Sequence, residues 1–270
     1  MGHFTVTDVQ SNAFYEQQRL SRDGAGLAGA ELAPQVQIWL ENWQLTALDE
    51  NARQWRLTAD AGGYAIDVQL EPVKRVVFQG DNGLSPKSGE EGNASYYYSM
   101  TRLMTEGTLR IDEEQYQVSG SSWMDHEFST NALSDDAVGW DWFGLQFDDN
   151  REMMLGLIRS KDGGTLPYTS GVLVREDGAP LFLATDDYTI TATGSWQSPH
   201  TGAVYPAGWE ITINHPEIQL QFTVTPLVAD QELTQGGIIY WEGAVSISGD
   251  VSGYGYVELT GYTESIAGRF

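Results

Sequence analysis

The chain has 270 residues, no cysteine, and thirty-eight acidic against fourteen basic residues, for a formal charge of -24 at pH 7. That field repels phosphate backbones and anionic lipid, which argues against nucleic acid and a peripheral membrane role, and without cysteine there are no disulfides, thiolate nucleophiles or Cys-ligated zinc. Thirty glycines, nine tryptophans and only 19% charged residues describe strands and turns, and the length points to two domains.

Alternation of apolar and polar residues predicts strands with one buried face, in order at 3–9, 38–40, 65–70, 140–147, 153–159, 171–174 and 218–224. Turn signals separate them at Asp81-Asn82-Gly83, Asp148-Asp149-Asn150, Lys161-Asp162-Gly163-Gly164 and Glu176-Asp177-Gly178. Helical periodicity is absent beyond about ten residues, so the class is all-β. No apolar run reaches the length of a membrane span, and residues 1–20 lack the basic-then-apolar layout of a signal peptide.

An internal repeat sets the architecture. Trp55 opens W-x-L-T-x-D, followed by Ile66, Val68, Leu70 and Pro72; Trp209 opens W-x-I-T-x-N, followed by Leu220, Phe222, Val224 and Pro226. Each Trp-to-Pro interval is 17 residues, and Trp43 and Trp196 precede the two copies by 12 and 13. Further on, the segment 118–126 matches 251–259, with Glu258 at the place of Asp125 and Leu259 at that of His126. Two tandem β domains are expected, 1–133 and 134–270, joined near 130–136. Sixty residues (136–195) precede Trp196 but only 42 precede Trp43. The first barrel is therefore expected to lack its opening strand pair, as an N-terminal truncation would.

The strings Gly92-Asn93-Ala94-Ser95-Tyr96-Tyr97-Tyr98-Ser99, Ser122-Trp123-Met124-Asp125-His126-Glu127-Phe128-Ser129 and Gly139-Trp140-Asp141-Trp142-Phe143 carry a family resemblance. So do Tyr240-Trp241-Glu242-Gly243 and Gly255-Tyr256-Val257-Glu258. With these the chain resembles the lipocalin-like carotenoid 1,2-hydratase family, which includes predicted secreted hydrolases. The resemblance implies tandem lipocalin-like barrels, a hydrophobic small-molecule ligand, no cofactor, and a periplasmic or extracytoplasmic location. Two departures stand out: the family's opening acidic-Trp-Trp-Tyr segment is absent, and Leu155-Gly156-Leu157 occupies the place of its Tyr-x-Asp pair.

A histidine between two carboxylates, beside aromatics, is a tunable acid/base group, which makes His126, Asp125 and Glu127 the candidate catalytic residues. Strand geometry puts Asp125 and Glu127 on the face opposite His126, and separates Trp140 and Trp142 from Asp141 and Phe143. Trp123, Trp140, Trp142, Tyr97 and Phe128 are the candidate ligand-lining residues; their ring faces suit a developing positive charge, or pack as core. Asp148-Asp149-Asn150 and Asp230-Gln231-Glu232 lack EF-hand spacing and read as solvated turns, so no metal is expected. No G-x-S-x-G elbow or phosphate-cradling loop is present. The expected function is a cofactor-free hydratase, isomerase or cyclase on a polyene- or terpenoid-like molecule; the alternative is a non-catalytic lipid or pigment carrier using the same cavity.

Overall fold

The computed structural model describes residues 1–89, 92–129, 133–168 and 171–266. Strands hold 61% of the residues and helices 2%, which makes the chain all-β as expected. Its contacts form two units that interleave along the sequence. Unit 1 is Met1–Val6, Tyr15–Arg75 and Arg102–Met124; unit 2 is Thr7–Phe14, Val76–Thr101 and Asp125–Phe270. Of the expected join near 130–136, residues 130–132 lie outside the described residues.

Up to residue 128 the strands are β1 (Gly2–Asp8), β2 (Ala13–Arg19), β3 (Ala28–Glu31), β4 (Gln37–Leu40), β5 (Trp43–Ala47), β6 (Trp55–Asp60), β7 (Tyr64–Pro72), β8 (Val77–Phe78), β9 (Leu84–Pro86), β10 (Ala94–Ile111) and β11 (Glu114–Phe128). Their sheet runs β11-β10-β7-β6-β5-β4-β3, with β8 and β9 also on β10 and β1 paired to β2 apart. From residue 137 onward come β12 (Ala137–Phe147), β13 (Glu152–Ser160), β14 (Thr165–Leu166), β15 (Gly171–Val174), β16 (Pro180–Leu183), β17 (Tyr188–Ala192), β18 (Ser195–Gln197), β19 (Val204–Pro206), β20 (Trp209–His215), β21 (Ile218–Pro226), β22 (Glu232–Leu233), β23 (Tyr240–Gly249) and β24 (Gly253–Thr260). The main sheet here runs β16-β15-β13-β12-β24-β23-β21-β20-β17. One sheet makes a half-barrel and the other a nearly closed barrel, the architecture of tandem lipocalin-like domains.

The repeat reappears as register. In the β6/β7 hairpin Trp55 faces Leu70 and Leu57 faces Val68; in the β20/β21 hairpin Trp209 faces Val224 and Ile211 faces Phe222. Equal spacing in the sequence has produced the same hairpin twice. The turns fall where Gly, Asn and Asp predict them: Asn82 and Gly83 both take positive φ (52° and 98°), the conformation of a tight hairpin turn, and Asp81 bridges Leu84 across it.

Each unit has its own apolar packing. In unit 1, Phe4 of β1 meets Trp43 edge-on at a ring distance of 5.9 Å and Tyr64 at a tilt at 4.8 Å, and the Tyr64 hydroxyl donates to the Phe4 carbonyl. In unit 2, alternate residues of β12 (Phe143, Leu145, Phe147) point into the barrel with Trp209, Phe222 and Trp241. Leu155, from the segment that replaces the Tyr-x-Asp pair, joins the same core. Trp209 meets Phe143 edge-on at 5.4 Å and is 1% exposed. Trp209→Ala is expected to destabilise the chain by about 3–5 kcal/mol, the usual cost of emptying a buried indole site, read as a lower urea midpoint at an unchanged slope.

Candidate functional site

On β12 the alternation turns Trp140 and Trp142 away from the barrel core and Asp141 toward it. Asp141 is buried there, accepting from Arg159 Nε at 2.9 Å and from the Tyr262 hydroxyl at 3.0 Å. Burial pushes its carboxyl above the ordinary range, opposed by the Arg159 charge and the Tyr262 hydrogen bond. Asp141 therefore braces the barrel, while the two indoles lie on the other face. Gly144 helps to shape that face: a Cβ there would come within 2.3 Å of the Trp142 ring, so glycine lets the indole lie against the strand.

The same face of β23 and β24 carries Tyr240, Glu242, Tyr256 and Glu258. Register places Glu258 opposite Trp142 on one side and opposite Glu242 on the other. Two carboxyls directly opposed on antiparallel strands have Cβ atoms about 5 Å apart. The Trp140 indole donates to Glu258 at 3.2 Å, and Tyr240 hydrogen-bonds Glu242. Burial and then the Glu242 charge push the Glu258 carboxyl up to about 8, and burial raises Glu242 as well. Glu242 and Glu258 are enclosed by protein but keep some accessible surface, as side chains lining a cleft do. Tyr256, in hydrogen-bond contact with Thr7, completes this wall.

Strands β10 and β11 supply the rest. The inward residues of β10 are a ladder of hydroxyls, Ser95, Tyr97, Ser99 and Thr101, all buried. Asp125 accepts from the Tyr97 hydroxyl at 3.0 Å and from Ser99 at 2.5 Å; Ser95 donates to Glu127. Lys87 pairs with Glu127 at 2.6 Å and lies 5.5 Å from the centre of the Tyr97 ring. The Trp142 indole donates to the Tyr97 oxygen at 3.2 Å, and both Asp125 and Glu127 act electrostatically on Glu258. Burial and the neighbouring acids hold the Tyr97 phenol well above its ordinary range, so it stays a donor. Every residue of this set belongs to unit 2.

Of the residues chosen from sequence, the structure brings together Asp125, Glu127, Tyr97, Trp140 and Trp142. It turns His126 and Phe128 the other way. His126 Nδ1 bonds the Tyr98 hydroxyl at 2.8 Å, and its ring packs 5.2 Å from Phe128, which is 52% exposed. Trp123 is half-buried and belongs to unit 1. The sequence reading missed Glu242, Glu258 and Tyr256 as site residues. Their signal was available: an acid or phenol alternating with core residues in Tyr240-Trp241-Glu242-Gly243 and Tyr256-Val257-Glu258-Leu259. Asp230-Gln231-Glu232 is not the solvated turn that its spacing predicts. Gln231 and Glu232 are in fact buried; Glu232 sits on β22, where hydroxyls of Ser198, Thr201 and Tyr205 all donate to its carboxylate.

The profile of AttH-like proteins matches residues 1–262. The chain belongs to the AttH-like family. A crystal structure assigned as AttH from Nitrosomonas europaea is 30% identical with a TM-score of 0.86, over 96% of this chain and 80% of that one. Kievitone hydratase from Nectria haematococca is 16% identical with a TM-score of 0.78, over 97% and 79%. CghA is 12% identical with a TM-score of 0.57, over 93% and 77%. These last two share the fold. No curated protein matches in sequence.

Glu258 gives the AttH-like chain a signed pH dependence. Between the ordinary glutamate range and about 8 the folded chain keeps this proton and the unfolded chain has lost it, so the contribution destabilises folding progressively as pH rises through that window. Thermal melts of wild type and Glu258→Gln from about pH 5 to about 8.5 should show a flatter profile for the variant, with its relative gain largest at the alkaline end.

Proposed function

We propose that this AttH-like protein is a cofactor-independent hydratase or cyclase acting on a hydrophobic, polyene- or terpenoid-like molecule held against the outer face of β12, β23 and β24. The observation that carries the reading is the opposed carboxyl pair Glu242 and Glu258, one of which retains a proton near neutral pH, facing the indoles of Trp140 and Trp142. An acid poised near the working pH is suited to proton transfer. Aromatic faces stabilise positive charge in a water-poor cleft. The fold is shared with a hydratase, which supports the reading.

In this scheme the Glu258 O–H bond breaks as its proton forms a C–H bond with one alkene carbon, using the π pair and leaving a cation on the neighbouring carbon. The faces of Trp140 and Trp142 and the Glu258 carboxylate stabilise that cation. Water then forms the C–O bond and passes its proton to Asp125, which Tyr97 and Ser99 hold in place. A second double bond of the same molecule, attacking instead of water, closes a ring and loses its proton to the same carboxylate. Proton return through solvent restores Glu258, and no oxidant or cofactor enters the balance. His126 has no part in it, because it projects from the opposite face of β11.

The test is incubation with a panel of polyene and terpenoid-like alkenes in ¹⁸O-labelled water, followed by mass spectrometry. A hydratase yields a product heavier by one labelled water, and a cyclase an isomer of unchanged mass. Glu258→Gln should cut turnover by about a hundredfold or more while ligand affinity stays within a few-fold. A ligand that binds and is recovered unchanged from every incubation would sink the enzymatic reading and favour a carrier. His126→Ala should leave turnover within about twofold, as expected for a side chain outside the reacting set.

A further inference from the structure

The buried acids of unit 2 fall into two groups. Asp141 has Arg159 and Tyr262, Glu232 has three hydroxyl donors, and Glu152 accepts from the Thr101 hydroxyl. The more open Glu127 has Lys87. Glu242 and Glu258 differ. Half-buried, they present four carboxyl oxygens to one indole N–H and one phenol, and among the described residues no lysine or arginine acts on either. The charged groups that do act on Glu258 are further acids: Glu242, Asp125 and Glu127. An enclosed carboxyl pair without a counter-cation is costly, and a shared proton relieves only part of that cost. On the same face stand Trp140, Trp142, Tyr240 and Tyr256, with Tyr97 bonded to the Trp142 indole, and aromatic rings attract alkylammonium groups through their faces.

We infer that this face binds hydrophobic ammonium ions, with the cationic head lying against the opposed carboxyls of Glu242 and Glu258 and neutralising them. The inference rests on the proposal that this face is where the ligand sits. It adds a ligand class defined by a fixed positive charge on an apolar body. Such an ion removes the proton that the hydration scheme uses, so it also acts as an inhibitor of that chemistry. Charge favours the approach, since a -24 protein concentrates cations at its surface; specificity comes from the aromatic walls and the enclosed pair.

The experiment is isothermal titration of the full chain at pH 7 with benzyltrimethylammonium and with neopentylbenzene, its neutral isostere, in two buffers of different ionisation heat. The ammonium ion should bind about tenfold or more tightly than the isostere. It should release a proton on binding, and keep its advantage at about 0.3 M salt, where attraction to exposed acids is screened. In Glu242→Gln/Glu258→Gln, checked for folding by circular dichroism, both the preference and the proton release should disappear. Should that double variant not fold, the proton release of wild type and the single variant Glu258→Gln carry the test. Equal affinity for the two probes would overturn the inference and leave the ligand face standing; failure of both to bind would overturn the two together. A preference that survives the substitutions, or vanishes with salt, would place the ammonium ion on the acidic surface and overturn the inference.

Discussion

Successive side chains of a β-strand leave on opposite faces, and in unit 2 this one constraint decides which residues belong to the core and which to the site. On β12, Phe143 and Leu145 fill the barrel while Trp140 and Trp142 face outward; on β23 and β24, Trp241 and Val257 go in while Glu242, Tyr256 and Glu258 go out. The site is thus the reverse side of the core. Its side chains are held by strands whose other faces are locked in apolar packing, the kind of support that fixes functional groups within a narrow range.

The acids of that unit show three ways of treating a carboxyl in protein surroundings. Hydroxyl donors satisfy Glu232, and a guanidinium with a phenol satisfies Asp141. Both arrangements are closed: each oxygen has a donor, and the group serves the barrel. Glu242 and Glu258 are left in mutual opposition, with their proton affinity raised. A fold that satisfies its other buried acids with donors and leaves this pair opposed has put its electrostatic strain where side chains still meet solvent. Strain retained at one place among well-satisfied neighbours marks chemistry or binding more often than packing.

The duplication gives this arrangement a history that register makes visible. Trp55 opposite Leu70 and Trp209 opposite Val224 are the same hairpin in two copies. Asp125 and Glu258 are equivalent in the repeat, and both contribute to the acidic set of unit 2. The two copies have diverged around them. Asp125 is held by Tyr97 and Ser99, whereas among the described residues Glu258 takes its hydrogen bond from the Trp140 indole and faces Glu242. Equivalent acids have come to differ in the donors that hold them.

The fold was largely legible from the sequence because strand alternation and Gly and Asn turns are local signals, each written within a short stretch, and because the same 17-residue Trp-to-Pro interval recurs in both halves. Alternation also announced that Asp125 and Glu127 would part from His126, and that Trp140 and Trp142 would part from Asp141. Which face was inward it left open, since a period of two has no sign until another strand packs against it. Tertiary structure made that choice, setting His126 against Tyr98 and the acids beside Tyr97, Ser99 and Lys87. It also revealed Glu242 and Glu258 as a pair, because their opposition depends on the β23/β24 register across 16 residues of chain. Burial of Glu232 was hidden for the same reason: its donors Ser198, Thr201 and Tyr205 lie about thirty residues away, and only folding brings them to it.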